Sequence, residues 1–134
     1  MPIALHIVTP HGEVFRGEVA GLVLPGSEGD FGVLPEHERF LTPLRIGEVE
    51  IHSGRETLYA AIGSGFADVT GKEVVVLVDS CELAERIDMA RAELARERAE
   101  QGLARLGDAE AERRREFEEA LQRARTRIAV ARKR

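Results

Sequence analysis

The sequence predicts an α+β protein: an N-terminal antiparallel β-sandwich over residues 1–81, then a C-terminal antiparallel two-helix hairpin over residues 82–134. Three observations predict it. The hydropathy period is two up to about residue 79 and 3.6 from about residue 82. Gly and Pro crowd the first part and nearly vanish from the second, where Ala, Glu and Arg, good helix formers, take over. The charge also divides. Residues 1–85 carry 5 Lys/Arg and 14 Asp/Glu, a net of −9, and residues 86–134 carry 14 and 10, a net of +4, within a chain of net −5. Two halves of opposite sign suit different partners and attract each other at low salt.

The strands follow in order. Ile3, Leu5 and Ile7 alternate onto one face of the first. Short strand candidates follow at 13–16, 19–24, 31–34 and 40–42. Residues 48–52 and 56–62 make a hairpin around Ser53-Gly54-Arg55, and 65–70 and 73–79 another around Gly71-Lys72. Eight to ten short strands at this spacing read as a sandwich or flattened barrel. With one Tyr and five Phe as its only aromatics, the chain has a mostly aliphatic core.

Residues 23–37 pack Pro25, Gly26, Gly29, Gly32 and Pro35 between short apolar runs. The glycines can take positive φ, and the prolines end ladder pairing. A rigid, irregular rim loop is expected, a usual place for binding.

The helices are expected at 82–106 and from about 109 to near 131, with Gly107 at C′ of the first and Asp108 capping the second. The first offers Ile87, Ala90, Leu94, Ala95, Ala99, Leu103 and Leu106 as its apolar stripe. The second offers Phe117, Ala120, Leu121, Ala124, Ile128 and Ala131. Both stripes are narrow and rich in Ala, unlike the Leu/Ile seam of a stiff coiled coil. The hairpin reads as a conditional element that depends on docking and can exchange one docking surface for another.

Composition narrows the function classes. One cysteine, Cys81, forms no internal disulfide and suits a reducing compartment. Its plain reading is a small buried apolar residue at a strand end. Four scattered histidines without ligand spacing speak against a metal site. Residues 1–6 lack the basic start of a signal peptide, and no apolar run approaches the ~20 residues of a membrane span. There is no GxSxG, P-loop or triad order, so no catalytic residues are assigned.

The chemistry lies in the arginines. Asp88 and Arg91 share a helix face, and Arg123 and Arg127 stand one turn apart. In an antiparallel hairpin, Arg91, Arg123 and Arg127 converge. Three guanidiniums without matching anions suit a phosphate ligand, because Arg matches phosphate oxygens bidentately. Glu82 and Asp88 are placed for ribose hydroxyls or an adenine amino group. The plain alternative is a solvated charged face with i,i+4 Glu partners.

The stretch PGSEGDFGVLPEHERFLTPLRIGEV, residues 25–49, resembles the signature of the epsilon subunit of bacterial F-type ATP synthases. The segment Ile87-Asp88-x-x-Arg91-Ala92 resembles the ATP-binding motif of some epsilon subunits, Arg123-Ala-x-x-Arg127-Ile the paired arginines that complete the site, and Glu82 fits a further contact. Together these motifs extend the resemblance over nearly the whole chain. It implies a non-catalytic central-stalk subunit that needs no cofactor and takes ATP as a regulatory ligand. In that family the sandwich binds the gamma subunit and rests on the c-ring, and Asp30 and His37 match positions at or near that foot. Glu38-Arg39 departs from the small residues or proline frequent in relatives. The hairpin of that family is compact beside the sandwich when ATP is bound. Extended among the alpha and beta catalytic subunits, it blocks hydrolysis. The expected place is the cytoplasmic side of the bacterial inner membrane, peripheral and without direct insertion.

Two other readings remain. A nucleic-acid module would use Arg113-Arg-Arg115 and Arg132-Lys-Arg134, but the chain is acidic and its basic half holds one aromatic residue, Phe117. A stand-alone ATP sensor would use the hairpin without any partner.

Overall fold

The computed structural model describes residues 2–36, 38–107 and 110–134. His37 and Asp108, the expected ring-contact and capping residues, lie outside the described residues.

Among the described residues the period-two half forms ten strands: β1 (Ile3–Thr9), β2 (Gly12–Val19), β3 (Gly21–Gly26), β4 (Gly29–Val33), β5 (Phe40–Leu44), β6 (Gly47–Ser53), β7 (Glu56–Ile62), β8 (Gly65–Val69), β9 (Glu73–Val78) and β10 (Cys81–Leu83). They join in one sheet of order β10-β7-β6-β3-β5-β8-β9-β1-β2, with β4 on β3. The sheet folds over itself as a sandwich. Alternation places Ile3, Leu5 and Ile7 inside, against Val74, Val76 and the inner residues of β3, β6 and β8, all essentially dry. The described pairings are antiparallel except one: β1 runs parallel to β9, with Leu5 opposite Val74 and Ile7 opposite Val76.

The rim is more regular than expected. Residues 21–26 and 29–33 are paired strands, closed by a tight turn in which Gly29 has φ +137°. Of the three rim glycines only Gly29 uses the left-handed region. Gly26 is needed for space instead: a Cβ there would stand 2.7 Å from the Gly29 carbonyl oxygen. Phe31 and Phe40 meet edge to face at 5.5 Å across the rim.

The first helix begins later than expected. Residues 81–83 add β10 to the β7 edge, Cys81 opposite Ile62 and Leu83 opposite Ala60. Ala84–Arg86 is a single 3-10 turn, and α1 is Met89–Arg105. The local preference for helix yields to strand pairing at Glu82 and Leu83, which leaves room for only the one 3-10 turn before α1. Asp88 is the N-cap, its Oδ1 accepting from the Arg91 amide at 3.1 Å. Leu106 caps the other end, so Gly107 does stand at C′. α2 is Ala111–Ala131.

Ala92, Ala99, Leu121, Ala124 and Ile128 form the closed part of the hairpin seam. Ala90 and Leu94, expected in it, are exposed, Leu94 by 51%. At 100° per residue the stripe centres on 92 and 99, which puts 90 and 94 about 160° from 92, on the opposite face. Phe117 covers Gly102, where any Cβ would overlap its ring.

The hairpin meets the sandwich through a small patch. Ala61, Ala84, Ile87, Val130 and Ala131 are buried together, flanked by Tyr59 and Met89. Polar ties surround it. Gln122 Nε2 donates to the Ile46 carbonyl at 3.3 Å, and Lys133 Nζ lies 2.7 Å from Glu48 Oε1 and 4.9 Å from the Tyr59 ring centre. Arg134 Nη1 donates to the Ile87 carbonyl at 2.7 Å. The contact is an Ala-rich spot rather than a broad apolar face.

Candidate functional site

The late start of α1 shapes a cavity of about 390 Å³ where three elements and a linking turn meet. β10 supplies Glu82, and the linking turn supplies Arg86, Ile87 and Asp88. α1 adds Arg91, Ala92, Ala95 and Arg98, and α2 adds Arg127. Ile87 and Ala92 are buried and belong to the dry floor; the charged groups stand on the walls.

Four guanidiniums and two carboxylates share this space. Arg127 Nε pairs with Glu82 Oε1 at 2.6 Å. The Asp88 carboxylate is engaged in capping α1. Among the described residues, no ion pair within 4.0 Å engages Arg86, Arg91 or Arg98. An excess of unpaired, always-charged fork donors over a partly apolar floor suits a ligand with several phosphate oxygens and a flat apolar group.

Of the seven residues singled out from sequence, Glu82, Ile87, Asp88, Arg91, Ala92 and Arg127 line this one cavity. Arg123 does not; it lies half-buried one turn earlier on α2. Sequence reasoning missed Arg98 and Arg86. Arg98 is seven residues after Arg91, on the same face two turns on, and was findable by spacing. Arg86 was hidden by the expectation of helix through a segment that is a turn.

Two other features stand out on the sandwich. At the rim, Asp30 Oδ1 receives Arg45 Nη2 at 2.5 Å beside a depression of about 560 Å³ lined by Gly26, Phe31, Phe40 and Pro43. On the outer sheet face, Leu41, Phe66 and Leu77 are 69%, 53% and 51% exposed. Phe66 pairs with both Pro43 and Leu77, so they form one apolar strip across β5, β8 and β9.

The family described as "ATP synthase, Delta/Epsilon chain, beta-sandwich domain" matches residues 2–84, the segment that contains all ten strands. The chain belongs to this family. Among its relatives, the ATP synthase epsilon chain of Syntrophobacter fumaroxidans is 44% identical over 134 residues, covering 98% of this chain and 96% of that one. The epsilon chain of Pelotomaculum thermopropionicum is 46% identical over 101 residues, 75% of each. A solved chain from the mitochondrial ATP synthase of Euglena gracilis, in an assembly described as OSCP/F1/c-ring, superposes with a TM-score of 0.82 at 25% identity over 96% of this chain and 80% of that chain. As an epsilon-type chain it is non-catalytic. Among the described residues no helix is long and apolar enough to cross a membrane.

Proposed function

We propose that this epsilon-family chain is the central-stalk subunit of a bacterial, proton-translocating F-type ATP synthase, coupling the gamma subunit to the c-ring and braking ATP hydrolysis through its hairpin under the control of bound ATP. One observation carries the regulatory part. The cavity walls come from both halves: Glu82 belongs to the sheet, and Arg91, Arg98 and Arg127 belong to the helices. A polyphosphate held by those arginines, with its sugar or base on Glu82, ties the hairpin to the sandwich and favours the docked state by its differential affinity. The small, Ala-rich docking patch keeps that equilibrium within reach of one ligand.

The division of partners follows from the surfaces. The apolar strip at Leu41, Phe66 and Leu77 suits a permanent partner such as gamma. The rim around Asp30, with His37 seven residues on in sequence, suits the ring. The second helix, with nine Lys/Arg against five Glu over 109–134, suits acidic surfaces on the alpha and beta subunits when the hairpin is extended. The chain then sits peripherally on the cytoplasmic side of the inner membrane.

Removing residues after Asp88 spares β10 and deletes both helices. The reassembled enzyme is expected to hydrolyse ATP several-fold faster with gamma and the c-ring still bound. A complex that no longer assembles, or one whose ATPase is unchanged, overturns the assignment of the brake to the hairpin. Calorimetric titration of the full chain with ATP tests the ligand; the absence of binding refutes its control by ATP.

A further inference from the structure

A second cavity, of about 300 Å³, lies on the other flank of the helix seam. It is lined by Glu93, Arg96, Arg125, Ile128, Ala129 and Arg132. On α1, residues 93 and 96 lie well around the helix from 91, 95 and 98; on α2, residues 125, 129 and 132 stand apart from 127. The hairpin therefore carries two grooves, one on each side of its Ala-rich seam, and both are rich in arginine.

Three guanidiniums share the second groove with one carboxylate. Arg96 reaches Glu100 only at 3.5 Å through Nη1. Its side chain is 40% exposed, but its Nε atom is covered and has no acceptor on the protein, the one side-chain polar atom in that condition among the described residues. A buried, unsatisfied donor of a charged group is costly and calls for a partner. Among the described residues, Arg125 and Arg132 have no anion within 4.0 Å. Unlike Arg127 across the seam, they remain free to bind.

We infer that Arg96, Arg125 and Arg132 form a second oxyanion site whose ligand is a protonated phosphate group, held at the face of the hairpin away from the first cavity. The arginines supply forked donors for the phosphate oxygens. Glu93, an acceptor when ionised, has no place beside a bare anion but accepts from a P–OH. The pair of features selects hydrogenphosphate over sulfate, which has no proton to donate at neutral pH. Inorganic phosphate and the terminal phosphate of a nucleotide share this chemistry. The small groove, with only Ile128 and Ala129 as apolar lining, favours the free ion over a nucleotide carrying a base.

The test is a titration of the isotope-labelled full chain with sodium phosphate near neutral pH at constant ionic strength, followed by amide chemical shifts, with sodium sulfate and ATP in parallel. Phosphate is expected to give saturating shifts at residues 93, 96, 125, 129 and 132, with sulfate weaker by about ten-fold or more and ATP acting chiefly at residues 86–88, 91, 98 and 127. Arg132→Gln and Arg125→Gln should each weaken phosphate about ten-fold, the scale of one charge-assisted hydrogen bond, while Arg91→Gln leaves it unchanged. Shifts that do not saturate, an equal response to sulfate, or equal binding by Arg132→Gln overturn the site. Because the wild-type titration alone can fail in the first two ways, loss of folding in a variant does not shield the inference.

Discussion

Arg127 Nε stands 2.6 Å from Glu82 Oε1, so one ion pair joins the last turns of α2 to the final strand of the sheet. Both side chains are about a third exposed, at 29% and 38%. Water screens such a pair, so its contribution to stability is about 1 kcal/mol or less. Its contribution to a ligand differs in scale. A guanidinium meeting a phosphate makes charge-assisted hydrogen bonds of about 1.5–3 kcal/mol. Arg127→Ala is therefore expected to leave the melting temperature nearly unchanged and to weaken ATP binding about ten- to a hundred-fold by calorimetry. Unchanged affinity would remove Arg127 from the nucleotide reading.

The helix pair has its own weak point at Gly102, over which the Phe117 ring lies. A β-branched side chain there displaces the ring and opens the seam. Gly102→Val is expected to destabilise the hairpin by about 1–3 kcal/mol, offset in part by better helix propensity. Amide exchange should quicken across α1 and α2 while β1 and β9 keep their protection. Uniform loss of protection would show that the two halves unfold together.

How much of this was legible in the sequence depends on the range of the interaction. Ile3, Leu5 and Ile7 announce a strand by alternation, and the turn at Gly54, with φ +60°, is marked by residue type. The parallel seating of β1 beside β9 has no local signature, because it joins segments some seventy residues apart. Glu82–Arg86 failed for the opposite reason: its local preference is helical, but Glu82 and Leu83 pair with β7 and Ala84–Arg86 is left as one 3-10 turn. The lining of the cavity was legible where helical spacing governs, at Arg91 and Arg127. It was illegible where the turn governs, at Arg86. The failure at Leu94 came from choosing the larger side chain over the better-phased Ala92.

Lys133 provides a pH test of docking. Its hydrogen bond and ion pair with Glu48 raise its pKa above the ordinary 10.5. A lysine with a raised folded-state pKa contributes stability that is complete below the unfolded value and is lost as pH climbs through the folded one. The hairpin's amide protection should therefore hold from neutral pH to about 10 and fall above it. Lys133→Ala should lower protection of α2 at neutral pH by about 1 kcal/mol or less and remove the Lys133 share of the alkaline loss. A variant with an unaltered alkaline profile would show that Lys133 does not govern docking.

Cys81 gives a test of the junction between the halves. It sits in β10 opposite Ile62, half-buried, and burial, aided by the nearby Glu82 carboxylate, pushes its thiol up to about 12 from an ordinary 9.0. The thiolate is the reactive species, so its fraction at pH 8 falls by about a thousand-fold relative to the unfolded chain. Alkylation by iodoacetamide at that pH is expected to be slower in the native protein than in denaturant by about that factor, less any direct opening of β10. The raised value also means that the folded state holds a proton the unfolded state releases. This contribution is intact below about 9 and is lost as pH rises toward 12. If β10 instead left the sheet whenever the hairpin undocked, deleting the helices after Asp88 would accelerate alkylation to near the denatured rate. Slow alkylation in that truncated chain is the expected result, and it would fix β10 as part of the sandwich rather than of the moving hairpin.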